Sequence, residues 1–148
     1  TGVQTCALPI FQQTQTTSFK AQLYEGVHNL LTDTIKIALY TANADLDETT
    51  TVYTSTGEIT GTGYTSGGNT LTGANISSSG YTAYVSFNST QWTGASFTCR
   101  GALIYNSSKG NKSIAVLDFG NDKIVSNQTF TITFPADTAD SAIIRSSN

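Results

Sequence analysis

The hydrophobic and polar positions of residues 97–119 predict two buried strands joined by a polar turn. Apolar residues alternate along both strands and also occupy much of the opposite faces, as is typical of strands in the middle of a domain. One face of the first strand is expected to carry Phe97, Cys99, Leu103 and Tyr105. Residues 106–111, Asn-Ser-Ser-Lys-Gly-Asn, have the composition of a chain reversal. This hairpin is therefore predicted to form the centre of the fold.

A segment with helical periodicity begins near Ser18, a favoured N-cap residue. Apolar residues recur behind it at the spacing of one helix face: Phe19, Leu23, Val27 and Leu30 or Leu31. Because the opposite face is polar, the helix is expected to lie on the outside of a sheet or across the end of a sandwich.

Shorter segments predict the remaining strands. Alternation is regular in residues 35–41, 81–87 and 129–134, and weaker in residues 52–54, 71–77 and 142–145. The glycine-rich residues 57–71 predict a looping segment with a bulged strand, and residues 120–122, Gly-Asn-Asp, predict a turn. Seven or eight short strands with one amphipathic helix near the N-terminus indicate an all-β fold, an antiparallel two-sheet sandwich of jelly-roll or immunoglobulin-like type.

Residues 1–17 are expected to be a non-native or flexible N-terminal segment, and residues 18–148 a single β-sandwich domain. The opening TGVQTCALPI has neither helical nor strand periodicity and resembles a translated sequencing adapter, with a flexible arm as the alternative. Cys6 and Cys99 allow one disulfide by count. Because Cys99 alternates with core-facing residues, two free thiols are expected instead.

Charge is scarce, since only 11% of residues are charged, compared with roughly 25% in an average soluble domain. The net charge is −3 and the seven Lys and Arg residues are scattered singly, which argues against a nucleic-acid partner. There is no apolar run long enough to indicate a membrane span. A surface this poor in charge can be buried against another subunit at little desolvation cost.

The residues able to carry chemistry do not predict a catalytic, cofactor or metal site. His28 is expected at the surface or boundary of the helix, and Cys99 lacks an activating cation because Arg100 points to the other face. The acidic residues are expected to be solvated loop charges or turn formers: Asp45, Asp47, Glu48, Glu58, Asp118 and Asp122. Residues 45–48 lack the spacing of a calcium-binding EF-hand loop, and GTGYTSGG lacks the residues of a phosphate loop. These patterns predict a protein that is not an enzyme.

Aromatic residues provide one alternative. Tyr64, Tyr84 and Trp92, together with Tyr81, are candidates for a glycan-binding or partner-binding platform, because aromatic faces stack well on sugar rings. Alternating aromatic residues in strands are also typical of a core, so both interpretations stand at this point.

Seven segments in this order carry a family resemblance: SFKAQLYEGVHNL, IKIALYT, GEITGTGYTSGGNTL, RGALIYN, AVLDFG, FTITFP and AIIR. Together they resemble a family of small virion-associated proteins of tailed bacteriophages. The resemblance implies a non-enzymatic, β-rich structural protein located in the virion, as a tail or neck component or a capsid decoration protein. Its partners would be copies of itself and other virion proteins. The alternative is a carbohydrate-binding or host-receptor-recognition module that contacts a host surface glycan.

Overall fold

The computed structural model describes residues 14–135 and 142–147, which form two antiparallel sheets and one helix. The elements of this part are β1 (Thr14–Gln15), α1 (Thr17–Tyr24), β2 (Ile35–Tyr40), β3 (Asn69–Thr70), β4 (Asn75–Ser79), β5 (Thr82–Ser86), β6 (Thr90–Asn106), β7 (Lys112–Ile132) and β8 (Ile144–Ser147). One sheet has the strand order β1-β7-β6-β2-β3 and the other β4-β5-β8. The prediction of an all-β, two-sheet antiparallel sandwich with one helix near the N-terminus is confirmed.

The predicted central hairpin is formed by β6 and β7, which together supply most of the larger sheet. Its turn contains a short 3-10 helix, Ser107–Lys109, followed by Gly110 in the left-handed conformation. The Asn106 side chain accepts a hydrogen bond from the Ser108 backbone N–H at 3.0 Å and so starts this turn.

The hairpin is much longer than the sequence pattern indicates. The predictions of a turn at residues 120–122 and of a separate strand at residues 129–134 are wrong, because β7 runs continuously through Ile132. Cys99 pairs with Lys123 and Gly101 with Asp118, so β7 carries extra residues in a bulge opposite Arg100. The turn-forming residues therefore bend a strand rather than end it.

This bulge also reverses the face on which the side chains of β6 lie. Phe97 and Cys99 belong to the core between the sheets, whereas Leu103 and Tyr105 belong to a second apolar cluster on the opposite face. The prediction that all four share a face is wrong, because the register shift between Cys99 and Gly101 interrupts the alternation. Ala44 and Leu46 cover the second cluster from the connection after β2.

Helix α1 is shorter than predicted and starts earlier. Its N-cap is Thr16 rather than Ser18, since the Thr16 hydroxyl accepts a hydrogen bond from Phe19 N–H at 3.3 Å. The predicted continuation to Leu30 or Leu31 is wrong, because the helix ends at Tyr24 and Gly26 follows with φ +73°. Phe19 is fully buried in the core, so it anchors α1 to the sandwich.

The described structure begins before the predicted domain start at residue 18. Thr14 pairs with Val116 and Gln15 with Ala115 at the edge of the larger sheet. Cys6 and the adapter-like residues 1–10 lie outside the described residues.

The glycine-rich residues 57–71 form the predicted looping segment, but their strand, β3, has two residues and no bulge. Gly68 lies directly against β2 with φ +79°, and a Cβ atom there would stand 1.7 Å from the carbonyl oxygen of Ile37. Only glycine permits this close approach. Residues 142–145 were expected to form an edge strand, and β8 fills this role with its pairing to β5.

Candidate functional site

The three predicted aromatic contact residues do not form one surface. Tyr64 and Trp92 lie near each other, with ring centroids 6.2 Å apart, but Trp92 is only 4% exposed and belongs to the core. Tyr84 lies in β5, paired with Ser77 on one side and Arg145 on the other. Its neighbour Val85 faces the core, so Tyr84 occupies the outer face of the smaller sheet. Of the three, Tyr84 alone stands on an open sheet face.

Among the described residues, Glu58 is an acidic residue whose carboxylate accepts four hydrogen bonds. Its carboxylate accepts hydrogen bonds from the Tyr53 hydroxyl at 2.6 Å and the Tyr64 hydroxyl at 2.5 Å. It also accepts from the Ser66 hydroxyl at 3.0 Å and the Gly67 backbone N–H at 2.7 Å. We call these five residues the Glu58 cluster. The prediction that Glu58 is a solvated loop charge is wrong, because four donors from the glycine-rich segment and its neighbours surround the carboxylate.

Hydrogen bonds of Tyr105 and Tyr64 also hold the glycine-rich segment against the larger sheet. Tyr105 donates a hydrogen bond to the Gly67 carbonyl at 2.7 Å and stacks on Tyr53 with ring centroids 4.7 Å apart. Burial raises the pKa of Tyr105 to about 12, and burial followed by the hydrogen bond to Glu58 raises that of Tyr64. The Tyr64 hydroxyl also accepts from Leu39 N–H at 3.0 Å. These hydroxyls stay protonated at neutral pH, so the arrangement is suited to holding the loop on β2 rather than to proton transfer.

His28 is half-buried and bridges two parts of the chain. One ring nitrogen, Nδ1, lies 3.0 Å from the Asn106 side-chain amide nitrogen. The other, Nε2, lies 2.8 Å from the side-chain oxygen Oε1 of Gln22. Because the amide nitrogen only donates, these contacts select the neutral Nε2–H form. Burial lowers the pKa of His28, against the opposing effect of the Asp33 carboxylate. His28 is thus a boundary residue, as predicted, that links α1 to the turn of the central hairpin.

Three charged residues, Asp118, Asp122 and Arg100, lie at the bulge in β7, and Cys99 lies next to it. Asp118 is fully buried, so it is not a solvated charge; of the two predicted roles it has the turn-forming one, since its carboxylate accepts a hydrogen bond from Gly120 N–H at 2.8 Å. Arg100 forms an ion pair with Asp122 at 3.4 Å. Cys99 is a buried free thiol whose pKa is raised by burial to about 12. Among the described residues, no three of His, Cys, Asp or Glu lie close enough together to hold a metal ion.

β4 forms a regular sheet edge that carries no charged residue. Residues 59–99, which include β3, β4, β5 and the first part of β6, contain no Asp, Glu, Lys, Arg or His. β4 pairs with β5 over all five of its residues without a register shift, and no other described strand pairs with its outer side. Its side chains are mostly exposed, with Ile76 at 47%.

The other edges in the described part of the chain are less suited to pairing. β3 has only two residues. β8 carries Arg145, whose carbonyl already accepts a hydrogen bond from the Gln15 side chain at 2.6 Å. β7 beyond Val116 is interrupted by bulges and carries Lys123, both of which are devices that discourage edge pairing. The uncharged run of residues 59–99 is visible in the sequence and includes both β4 and the first part of β6. Because β6 before Gly101 has register shifts and a bridge from Thr62 to Ser96, β4 is the regular edge of the two.

No protein-family model, curated protein or solved structure matches this chain. Within the residues that the structure describes, there is no helix of the length and apolar character needed to cross a membrane.

Proposed function

We propose that this chain is a non-enzymatic structural protein of a bacteriophage virion that assembles through the outer edge of β4, with which no other described strand pairs. The observation that carries the proposal is the combination of a regular edge strand with an uncharged surround in residues 59–99. An exposed edge offers unpaired backbone N–H and C=O groups that a strand of another subunit can satisfy. The family resemblance of the sequence supports placement in a virion, as a tail, neck or decoration component.

Pairing of two β4 strands has a simple symmetric solution. Ser77 is the central residue of β4, so a two-fold axis through an antiparallel β4–β4 pair places Ser77 opposite its own copy. The neighbouring residues of β4 are Asn, Ile and Ser, so no like charges meet across this axis. Because a two-fold contact closes at two copies, such dimers join a larger assembly through their other surfaces, where weak contacts sum over many copies.

The charge-poor surface lowers the desolvation cost of such an interface. Seryl and threonyl hydroxyls can exchange hydrogen bonds with water for hydrogen bonds with a partner, whereas buried charges require a partner of opposite sign. Tyr84, which pairs with Ser77 across the strands, lies beside the proposed contact and supplies an aromatic ring of the type enriched at interfaces.

The test is the oligomeric state of the full chain, measured by light scattering on a size-exclusion column. We expect the wild-type chain to associate, and we expect Ser77→Lys to shift it to monomer, since the change places two lysines opposite each other. The matched variant Ser77→Thr, which favours strand structure, should associate like the wild type.

Ser55→Lys adds the same charge at an exposed loop position away from β4 and should leave association unchanged. A wild-type chain that remains monomeric at every concentration would contradict assembly through copies of itself. Equal association of the Ser77→Lys and wild-type chains would exclude β4 as the contact.

A further inference from the structure

A cleft lies between the end of α1 and the inner face of the smaller sheet. Its volume is about 350 Å³, at the lower end of the range of small-molecule sites. The walls are mainly aliphatic and aromatic, with side chains from both the helix and the sheet: Phe19, Leu23, Leu30, Ile76, Val85 and Ile144. Leu23 and Ile76 remain 41% and 47% exposed, so the cleft presents apolar surface to solvent.

The early end of α1 creates this opening. The helix stops at Tyr24, and Gly26, with φ +73°, turns the chain before the helical face can cover the sheet. Ala83 and Ile76 lie on the same sheet face as the buried Val85 but are left exposed. The apolar face of the sheet therefore extends further than the described residues that cover it.

The charged side chains that line the cleft and its continuation are basic. Past Leu23 the cleft continues into a space of about 280 Å³ bordered by Lys20 and Arg145. No Asp or Glu lines either space among the described residues, although the chain has ten acidic and seven basic residues. Lys20 is exposed and forms no ion pair within the described part of the chain.

We propose that this cleft binds a single-chain amphiphile with an anionic head, of the class of fatty-acid carboxylates. The acyl chain lies between Leu23, Ile76 and Ile144, where it removes exposed aliphatic surface from water. The carboxylate lies at the mouth beside Lys20, which supplies the opposite charge. This inference rests on a different surface from the proposed β4 contact and does not depend on it.

An acyl chain fits these walls better than a polypeptide segment does. A peptide brings backbone N–H and C=O groups at every residue, which require hydrogen-bond partners when they are buried, whereas the polar lining of the cleft is confined to a few residues such as Gln15, His28 and Asn29. An unbranched acyl chain has no such requirement. The volume of about 350 Å³ suits one chain rather than the two chains of a membrane lipid.

The test is calorimetric titration of the full chain with dodecanoate, below the concentration at which it forms micelles, and in parallel with dodecanol. We expect saturable one-to-one binding of dodecanoate and at least about tenfold weaker binding of dodecanol. Lys20→Gln should weaken dodecanoate binding about two- to fivefold, the effect of one exposed ion pair, while leaving dodecanol binding unchanged. Lys123→Gln, which removes the same charge from β7, should change neither.

Ala83→Trp should abolish the binding of both compounds by filling the cleft, and Ala83→Leu, which adds less volume, should weaken both if the larger variant does not fold. Circular dichroism of each variant establishes that it is folded. Failure of dodecanoate to saturate would overturn the proposal, and so would equal binding of dodecanol. Dodecanoate binding that is unaffected by both Lys20→Gln and Ala83→Leu would place the ligand elsewhere and overturn it as well.

Discussion

Replacement of Glu58 by alanine removes the acceptor of four hydrogen bonds at once. The donors are the hydroxyls of Tyr53, Tyr64 and Ser66 and the backbone N–H of Gly67. Tyr53 and Ser66 are close enough to solvent for water to replace the lost carboxylate. Gly67 is buried, so its N–H is left without its acceptor, and the half-buried Tyr64 hydroxyl loses its own.

The expected loss of unfolding free energy follows from the two less accessible donors, the Gly67 backbone N–H and the Tyr64 hydroxyl. A hydrogen bond to a charged group contributes about 1.5–3 kcal/mol to the free energy of unfolding. Because Glu58 is itself only partly buried, we take about half of that value for each of the two bonds, which gives about 1.5–3 kcal/mol for Glu58→Ala. For a domain of this size, that loss lowers the unfolding midpoint by roughly 3–12 °C.

Glu58→Gln separates the role of the acceptor from that of the side chain. The glutamine oxygen can replace the carboxylate oxygen that faces Tyr64 and Gly67, and the amide nitrogen then faces the Tyr53 and Ser66 hydroxyls, which can rotate to accept. We therefore expect a loss of only about 1 kcal/mol.

Urea denaturation of the wild type, both Glu58 variants and the exposed-site control Glu25→Ala measures these differences. The control should change stability by less than about 0.5 kcal/mol. Equal losses for Glu58→Gln and Glu58→Ala, or a loss for Glu58→Ala no larger than the control, would refute the reasoning.

Two further predictions concern the central hairpin and the glycine-rich segment. Since burial lowers the pKa of His28 from 6.5, the neutral ring contributes stability that is complete above that pH and is lost as pH falls through the lowered value. The difference in unfolding free energy between the wild type and His28→Gln, measured from pH 7.5 to pH 5, should therefore shrink with acidity, and a constant difference would contradict it. Gly68→Ala should cost more than about 3 kcal/mol because its Cβ meets the Ile37 carbonyl, whereas Gly80→Ala, also at positive φ but in open space, should cost about 1 kcal/mol. If thermal unfolding shows similar losses of stability for Gly68→Ala and Gly80→Ala, the close approach of Gly68 to the Ile37 carbonyl does not determine the cost of the substitution.

The two-sheet fold and the centre of the hairpin could be predicted because both strands there are buried on both faces. Their apolar residues mark the strands whatever the register. The continuation of β7 could not be predicted, since residues 120–122 have the same composition in a bulge as in a turn. Whether the chain reverses there depends on pairing with the distant residues around Arg100. The end of α1 was missed because apolar spacing continues through Leu30 after Gly26 has ended the helix.

The candidate sites were less predictable than the fold. The Glu58 cluster assembles residues from an irregular segment that has no periodicity, so nothing in the sequence distinguishes Glu58 from a solvated acid. Trp92 alternates with polar neighbours along β6, and this alternation does not show whether the sheet face that carries Trp92 is exposed to solvent or buried. The β4 edge depends on which strands pair with which, although the absence of charge in residues 59–99 is visible in the sequence.

Amide hydrogen exchange of the full chain at low and high protein concentration tests the assembly proposal most directly. If copies pair through β4, the outward-pointing backbone amides, at every second residue of Asn75–Ser79, gain protection as concentration rises, while those of the short β3 edge do not. Exchange in β4 that is independent of concentration, in a chain that associates, would contradict the proposed interface.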